Sequence, residues 1–110
     1  MELTKKRCVP CEGGVRPLDP NQVQTLLSQV PGWQAESNGG QLRKRFDFAS
    51  FPATIAFVQR LADLAEAEGH HPDFCVRYKV LDVTLTTHAI GGLSESDFKC
   101  AAKIDVLDAL

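Results

Sequence analysis

The sequence predicts an α+β domain, a four-stranded antiparallel sheet with helices packed on one face. Three observations predict it. Two pairs of runs alternate apolar and polar residues with the period of a half-buried strand, and each pair is closed by a short turn. Stretches with helical spacing stand before, between and after those pairs, and no repeat or low-complexity segment interrupts the order. Helices that must cover one face of an antiparallel sheet give two layers.

Residues 1–17 hold two cysteines, a Gly-Gly pair and two prolines without periodicity, and read as an irregular N-terminal arm. Residues 18–110 form the domain. In "LDPNQVQTLLSQVPGW", Asp19 caps a helix and Pro20 suits its first turn. Val23, Leu26, Leu27 and Val30 make its apolar stripe, and Pro31 and Gly32 end it. "WQAESNGGQLRKRFDF" reads as a hairpin about "SNGG". Leu42, Phe46 and Phe48 share one side of its second run, Arg43, Arg45 and Asp47 the other, and Lys44 breaks the alternation.

"SFPATIAFVQRLADLAEAEG" is the main helix, capped by Ser50 and stopped by Gly69. Its spacing puts Phe51, Ile55, Val58, Leu61, Ala62 and Ala65 on the buried side. Two strands follow: Phe74, Val76 and Tyr78 share a face of the first, and Leu81, Val83, Leu85 and Thr87 a face of the second. "GGL" is a turn. "SESD" opens the last helix with a capping-box pattern, and Cys100, Ala101, Ile104 and Leu107 are its expected buried positions.

The chain of 110 residues fits one domain, large enough to form its own core. A net charge of -2 leaves no overall footprint for nucleic acid or an anionic membrane. No apolar run reaches a membrane span of about 20 residues, and no signal-peptide core is visible, so a cytoplasmic location is expected. Cys8 and Cys11 form "CVPC", read as free thiols of the arm. Half a metal site or a redox pair is the alternative, but tetrahedral zinc wants four ligands, and a redox motif would open a helix where "EGGVRP" follows. Cys75 and Cys100 are expected to be small buried apolar residues.

The three histidines carry the chemistry. "EAEGHHPDF" places His70 and His71 just beyond the main helix, with Pro72 holding His71 extended. Adjacent extended residues point to opposite sides, so the two imidazoles do not share a surface. His88 ends "VLDVTLTTH" on the face of Asp82, Thr84 and Thr86, pointing away from the core or into a cleft. Glu66, four residues before His70, would share its face if the helix continued, and could orient the ring. Histidines that titrate near neutral pH suit a reaction that moves protons without a redox centre. Surface histidines without a role, or three zinc ligands, are the other readings of this spacing.

Together these residues resemble the pterin-4a-carbinolamine dehydratase family. The likeness runs from Glu66 to His70-His71-Pro72, then Tyr78, His88 and Asp97, and extends to "PGW", "FDFASFPATIAFV" and "GGLSESD". It spans the chain from about residue 19 onward. The resemblance implies a single antiparallel sheet with helices on one face and a homodimer or homotetramer. It implies dehydration of 4a-hydroxytetrahydropterin to quinonoid dihydropterin, in recycling of a tetrahydrobiopterin-type cofactor, with no metal and no redox cofactor. By the same resemblance His70, His71 and His88 are the active-site histidines and Glu66 their acidic companion. His70 and His88 then transfer protons while His71 holds the substrate. Trp33 matches a family position near the pocket, where an indole could stack on a pterin; a core or interface role is the alternative. Pro72, Thr87 and Ala89 flank the histidines and could offer backbone contacts to the ligand. Tyr78 and Asp97 belong to the signature, with packing and helix initiation as their expected roles. Bacterial members look like accessories to phenylalanine hydroxylase. The rival reading is a non-catalytic dimerisation or assembly cofactor, as for animal members that join a homeodomain factor and bacterial ones that look like carboxylase assembly factors. The intact histidine set favours the enzyme.

Overall fold

The computed structural model describes residues 16–36 and 40–109. Most of the expected arm, with Cys8 and Cys11, and the centre of the "SNGG" turn lie outside the described residues.

Helix α1 spans Pro20–Leu27, and the Asp19 carboxylate accepts the Gln22 N–H at 2.8 Å while the Gln22 side chain returns the bond. Strands β1 (Gln34–Glu36) and β2 (Gln41–Asp47) form the expected hairpin. Helix α2 spans Phe51–Glu68, and strands β3 (Asp73–Arg77) and β4 (Val80–Leu85) make the second hairpin. A 3-10 turn at His88–Ile90 leads to helix α3, Glu95–Asp108. The sheet order is β1-β2-β4-β3, antiparallel throughout. This is the open α+β architecture that the sequence predicts. Among the described residues no helix is long and apolar enough to cross a membrane.

Central β4 carries the core. Leu81, Val83 and Leu85 are fully buried, as is Leu42 beside Leu85 on β2. The helices contribute Val23, Leu26, Phe57, Leu61, Phe98, Ala101 and Ile104 to the same cluster. Lys44 does face this layer. Its Nζ lies 2.8 Å from Asp105 Oδ1 and 5.0 Å over the Phe46 ring, which lets a cation sit beside apolar side chains.

Several expectations are corrected. The buried stripe of α2 is Thr54, Phe57, Leu61 and Ala65, while Phe51 and Ile55 are 47% and 44% exposed. The helix carries two apolar stripes, and the sheet takes the one headed by Phe57, whose ring meets Phe46 and Phe48. The Thr54 hydroxyl is satisfied inside by the Ser50 carbonyl. Tyr78 leaves the face of Phe74 and Val76, because β3 stops at Arg77 and Tyr78 turns the chain with a φ of 57°. Leu107 is only partly buried in the core. Cys75 is exposed, because its position opposite Asp82 puts it on the face that no helix covers; Cys100 is buried as expected.

That uncovered face is charged. Asp82 receives Arg77 Nη2 at 2.5 Å and Arg43 Nη2 at 3.3 Å. Burial alone would push the Asp82 carboxyl up, but the Arg77 bond and the charges of Arg77 and Arg43 outweigh it and hold it below the usual range. Arg77 is correspondingly raised, chiefly by its bond to Asp82.

Candidate active site

Gly69 ends α2 in the left-handed region, φ 66° and ψ 27°, with nothing near the place of a Cβ. The chain then leaves extended into β3, and the neighbouring imidazoles part as expected. His70 turns inward, its side chain 12% exposed, and Nε2 lies 2.6 Å from Asp97 Oδ1. His71 turns outward, 62% exposed, with Nε2 2.5 Å from Glu66 Oε2. The expected Glu66 and His70 pair is therefore replaced by Glu66 and His71. The left-handed turn at Gly69 breaks the helical i to i+4 relation, so His71 swings back over the last turn of α2.

Asp97, in the first turn of α3, is fully buried. Its Oδ2 accepts the Thr87 hydroxyl at 2.7 Å and the Ser94 N–H at 2.9 Å. Thr87 and Ser94 hydroxyls lie 2.8 Å apart. Thr87 is 6% exposed and pairs in an isolated bridge with Gly92, next to the turn that carries His88.

His88 is not on the strand. β4 ends at Leu85, and His88 begins the 3-10 turn with its side chain 77% exposed and Nε2 3.9 Å from Asp73 Oδ2. Asp73 opens β3, directly after Pro72. The contacts thus gather the three histidines at one end of the sheet: His70 reaches Asp97, Asp97 holds Thr87 beside His88, and His88 faces Asp73, two residues from His71. Pro72 lines an apolar crevice with His70, Leu85 and Ile104, and Ala89 is exposed on the turn. A groove of about 560 Å³ between α1 and Glu95 is lined by no histidine.

Trp33 stands apart from this set. It is 5% exposed, its indole N–H donates to Asp105 at 3.0 Å, and its ring meets Phe46 edge-on at 6.2 Å. Almost no ring surface is left for a planar ligand. Sequence reasoning gave no part to Asp73, and the roles it expected of Ser94 and Asp97 were those of a helix start. The "SESD" spacing shows Asp97 capping α3; its bond to a histidine 27 residues earlier is a tertiary contact that no local pattern announces. Among the described residues no three His, Cys, Asp or Glu side chains are arranged to hold a metal ion.

The family model described as pterin 4 alpha carbinolamine dehydratase matches residues 16–107. A protein of Halorhodospira halophila, provisionally named pterin-4-alpha-carbinolamine dehydratase, is 46% identical over 99% of this chain and 100% of its own length. A relative from Nitrosospira multiformis with the same provisional name is 47% identical over 96% of this chain and 92% of its own. Among solved structures, a transcriptional coactivator/pterin dehydratase from Brucella melitensis superposes with a TM-score of 0.79 at 30% identity, covering 84% of this chain and 98% of that one. A pterin dehydratase-like protein identified as a RuBisCO assembly factor in the alpha-carboxysome gives 0.61 at 31% identity, over 69% and 88%. With the family model and near full-length relatives in agreement, the chain belongs to the pterin 4 alpha carbinolamine dehydratase family.

Proposed function

We propose that this protein dehydrates 4a-hydroxytetrahydropterin to quinonoid dihydropterin and water by histidine acid and base catalysis. The observation that carries the reading is the gathering of His70, His71 and His88, each beside a carboxylate, at one end of the sheet. The reaction breaks the C4a–O bond. An acid protonates the departing hydroxyl, a base takes the N5 proton, and the N5 electrons form the C4a=N5 bond. One proton is given and one taken, so no oxidant or reductant is consumed. Each well-placed transfer contributes roughly 10² to 10⁴ in rate.

His70, backed by buried Asp97, and His88, on its exposed turn, are the proton-transferring pair. His71 and Glu66 hold the substrate at the outer rim, with backbone contacts from Pro72, Thr87 and Ala89. A second reading, an assembly role for a protein partner, draws on the likeness to the RuBisCO assembly factor and on the exposed Phe51 and Tyr78, whose rings lie 6.4 Å apart. The same exposed side chains suit a homo-oligomer.

The test is the absorbance of quinonoid dihydropterin formed from fresh 4a-hydroxytetrahydropterin. The native protein accelerates its formation, and His88→Ala cuts that acceleration by about tenfold or more. No acceleration over buffer would remove the dehydratase reading and leave the assembly role.

A further inference from the structure

We infer that Asp97 is a positioning residue that sets the tautomer of His70 and anchors the turn bearing His88. A neutral imidazole carries one N–H and one lone pair, and their assignment decides which nitrogen can give a proton and which can take one. The Asp97 carboxylate stands 2.6 Å from His70 Nε2. A carboxylate only accepts, so the N–H belongs to Nε2 and Nδ1 is the basic nitrogen.

The other oxygen fixes the carboxylate itself. Oδ2 receives the Ser94 N–H and the Thr87 hydroxyl, and the whole group is shut off from solvent. Hydrogen bonds in such a setting are stronger than at the surface, and their geometry is held. Thr87 directly precedes the His88 turn, so one buried carboxylate ties the ring of the first histidine to the backbone carrying the second. A residue that merely started α3 would need Oδ2 alone. The use of Oδ1 on a histidine from a different element is what a cap does not explain.

Asp97→Asn separates the two roles. The Ser94 N–H can only donate, so the amide oxygen stays on that side and the NH2 turns toward His70. Two donors cannot face each other, so the ring must move its proton to Nδ1. The readout is a long-range nitrogen–proton correlation spectrum of the imidazoles at about pH 8, where an unperturbed imidazole is neutral. The native protein shows His70 as the Nε2–H form; finding Nδ1–H there would overturn the inference without any variant. Asp97→Asn shows Nδ1–H. Ser94→Ala, which keeps the backbone N–H, lowers Tm but retains Nε2–H.

The kinetic arm rests on the dehydratase reading. Asp97→Asn lowers kcat by about tenfold or more with KM within about threefold, whereas Ser94→Ala leaves kcat within about threefold. A kcat loss in Ser94→Ala equal to that in Asp97→Asn would reduce Asp97 to a cap. If the native protein has no dehydratase activity, the functional reading fails while the spectra still decide the tautomer.

Discussion

His70 and His71 are adjacent in the chain and opposite in environment. One is almost enclosed against a buried carboxylate, the other lies open with an exposed one. That difference separates their kinetic signatures. On the proposed division of roles, His71→Ala raises KM about fivefold or more with kcat nearly unchanged, because only a holding contact would be lost; initial rates across a substrate range check it. Trp33→Phe loses the indole bond to Asp105, which Lys44 still satisfies. Its expected cost is about 1 kcal/mol in urea unfolding, with KM for the pterin unchanged; a rise in KM would return Trp33 to the pocket. At this scale the sequence drew notice to the histidines and said less about what they touch. Pro72 and extended geometry foretold the splitting of the two rings. The partners of those rings depended on where α2 stopped and where α3 docked, which are tertiary facts.

The helix ends decide the site at the scale of elements. Gly69 occupies a left-handed position in open space, so Gly69→Ala meets no clash and carries only the conformational cost, about 1–2 kcal/mol. Chemical denaturation measures it, and loss of the His71 and Glu66 contact should accompany it as a raised KM. The caps at Asp19 and Ser50 and the stop at Gly69 were legible because they depend on local chemistry. The buried stripe of α2 was not. Both its stripes are apolar, and the choice was made by the fit of Phe57 between Phe46 and Phe48. Tyr78 and His88 were misplaced because alternation continued in sequence beyond the last ladder pairs, Arg77 with Val80 on β3 and Leu42 with Leu85 on β4.

For the whole molecule, the two faces of the sheet have different physics. The covered face is held chiefly by apolar burial. The open face is held in part by Asp82 between two arginines. Its carboxyl is depressed, so its stabilising contribution is complete above the ordinary carboxylate pKa near about 4 and is lost as pH falls through the lower folded value. Asp82→Asn therefore lowers Tm at neutral pH, and the gap from the native protein closes progressively below about pH 4 in a pH series of thermal melts. A gap that stayed constant to low pH would mean that the carboxylate charge contributes nothing. The layered architecture itself was readable from the order of periodic segments. The charge network was not, because alternation assigns Asp82 to the open face without saying which arginines converge on it.

Trp33 is the chain's single tryptophan, sealed between sheet and helix with its N–H on a carboxylate of α3. Its fluorescence is therefore a one-site optical gauge of the contact between the two layers. The emission should shift to the red when α3 lifts away from the sheet, and a ligand at the histidine end should leave its wavelength untouched. Unfolding and binding can then be followed in the same cuvette by separate signals.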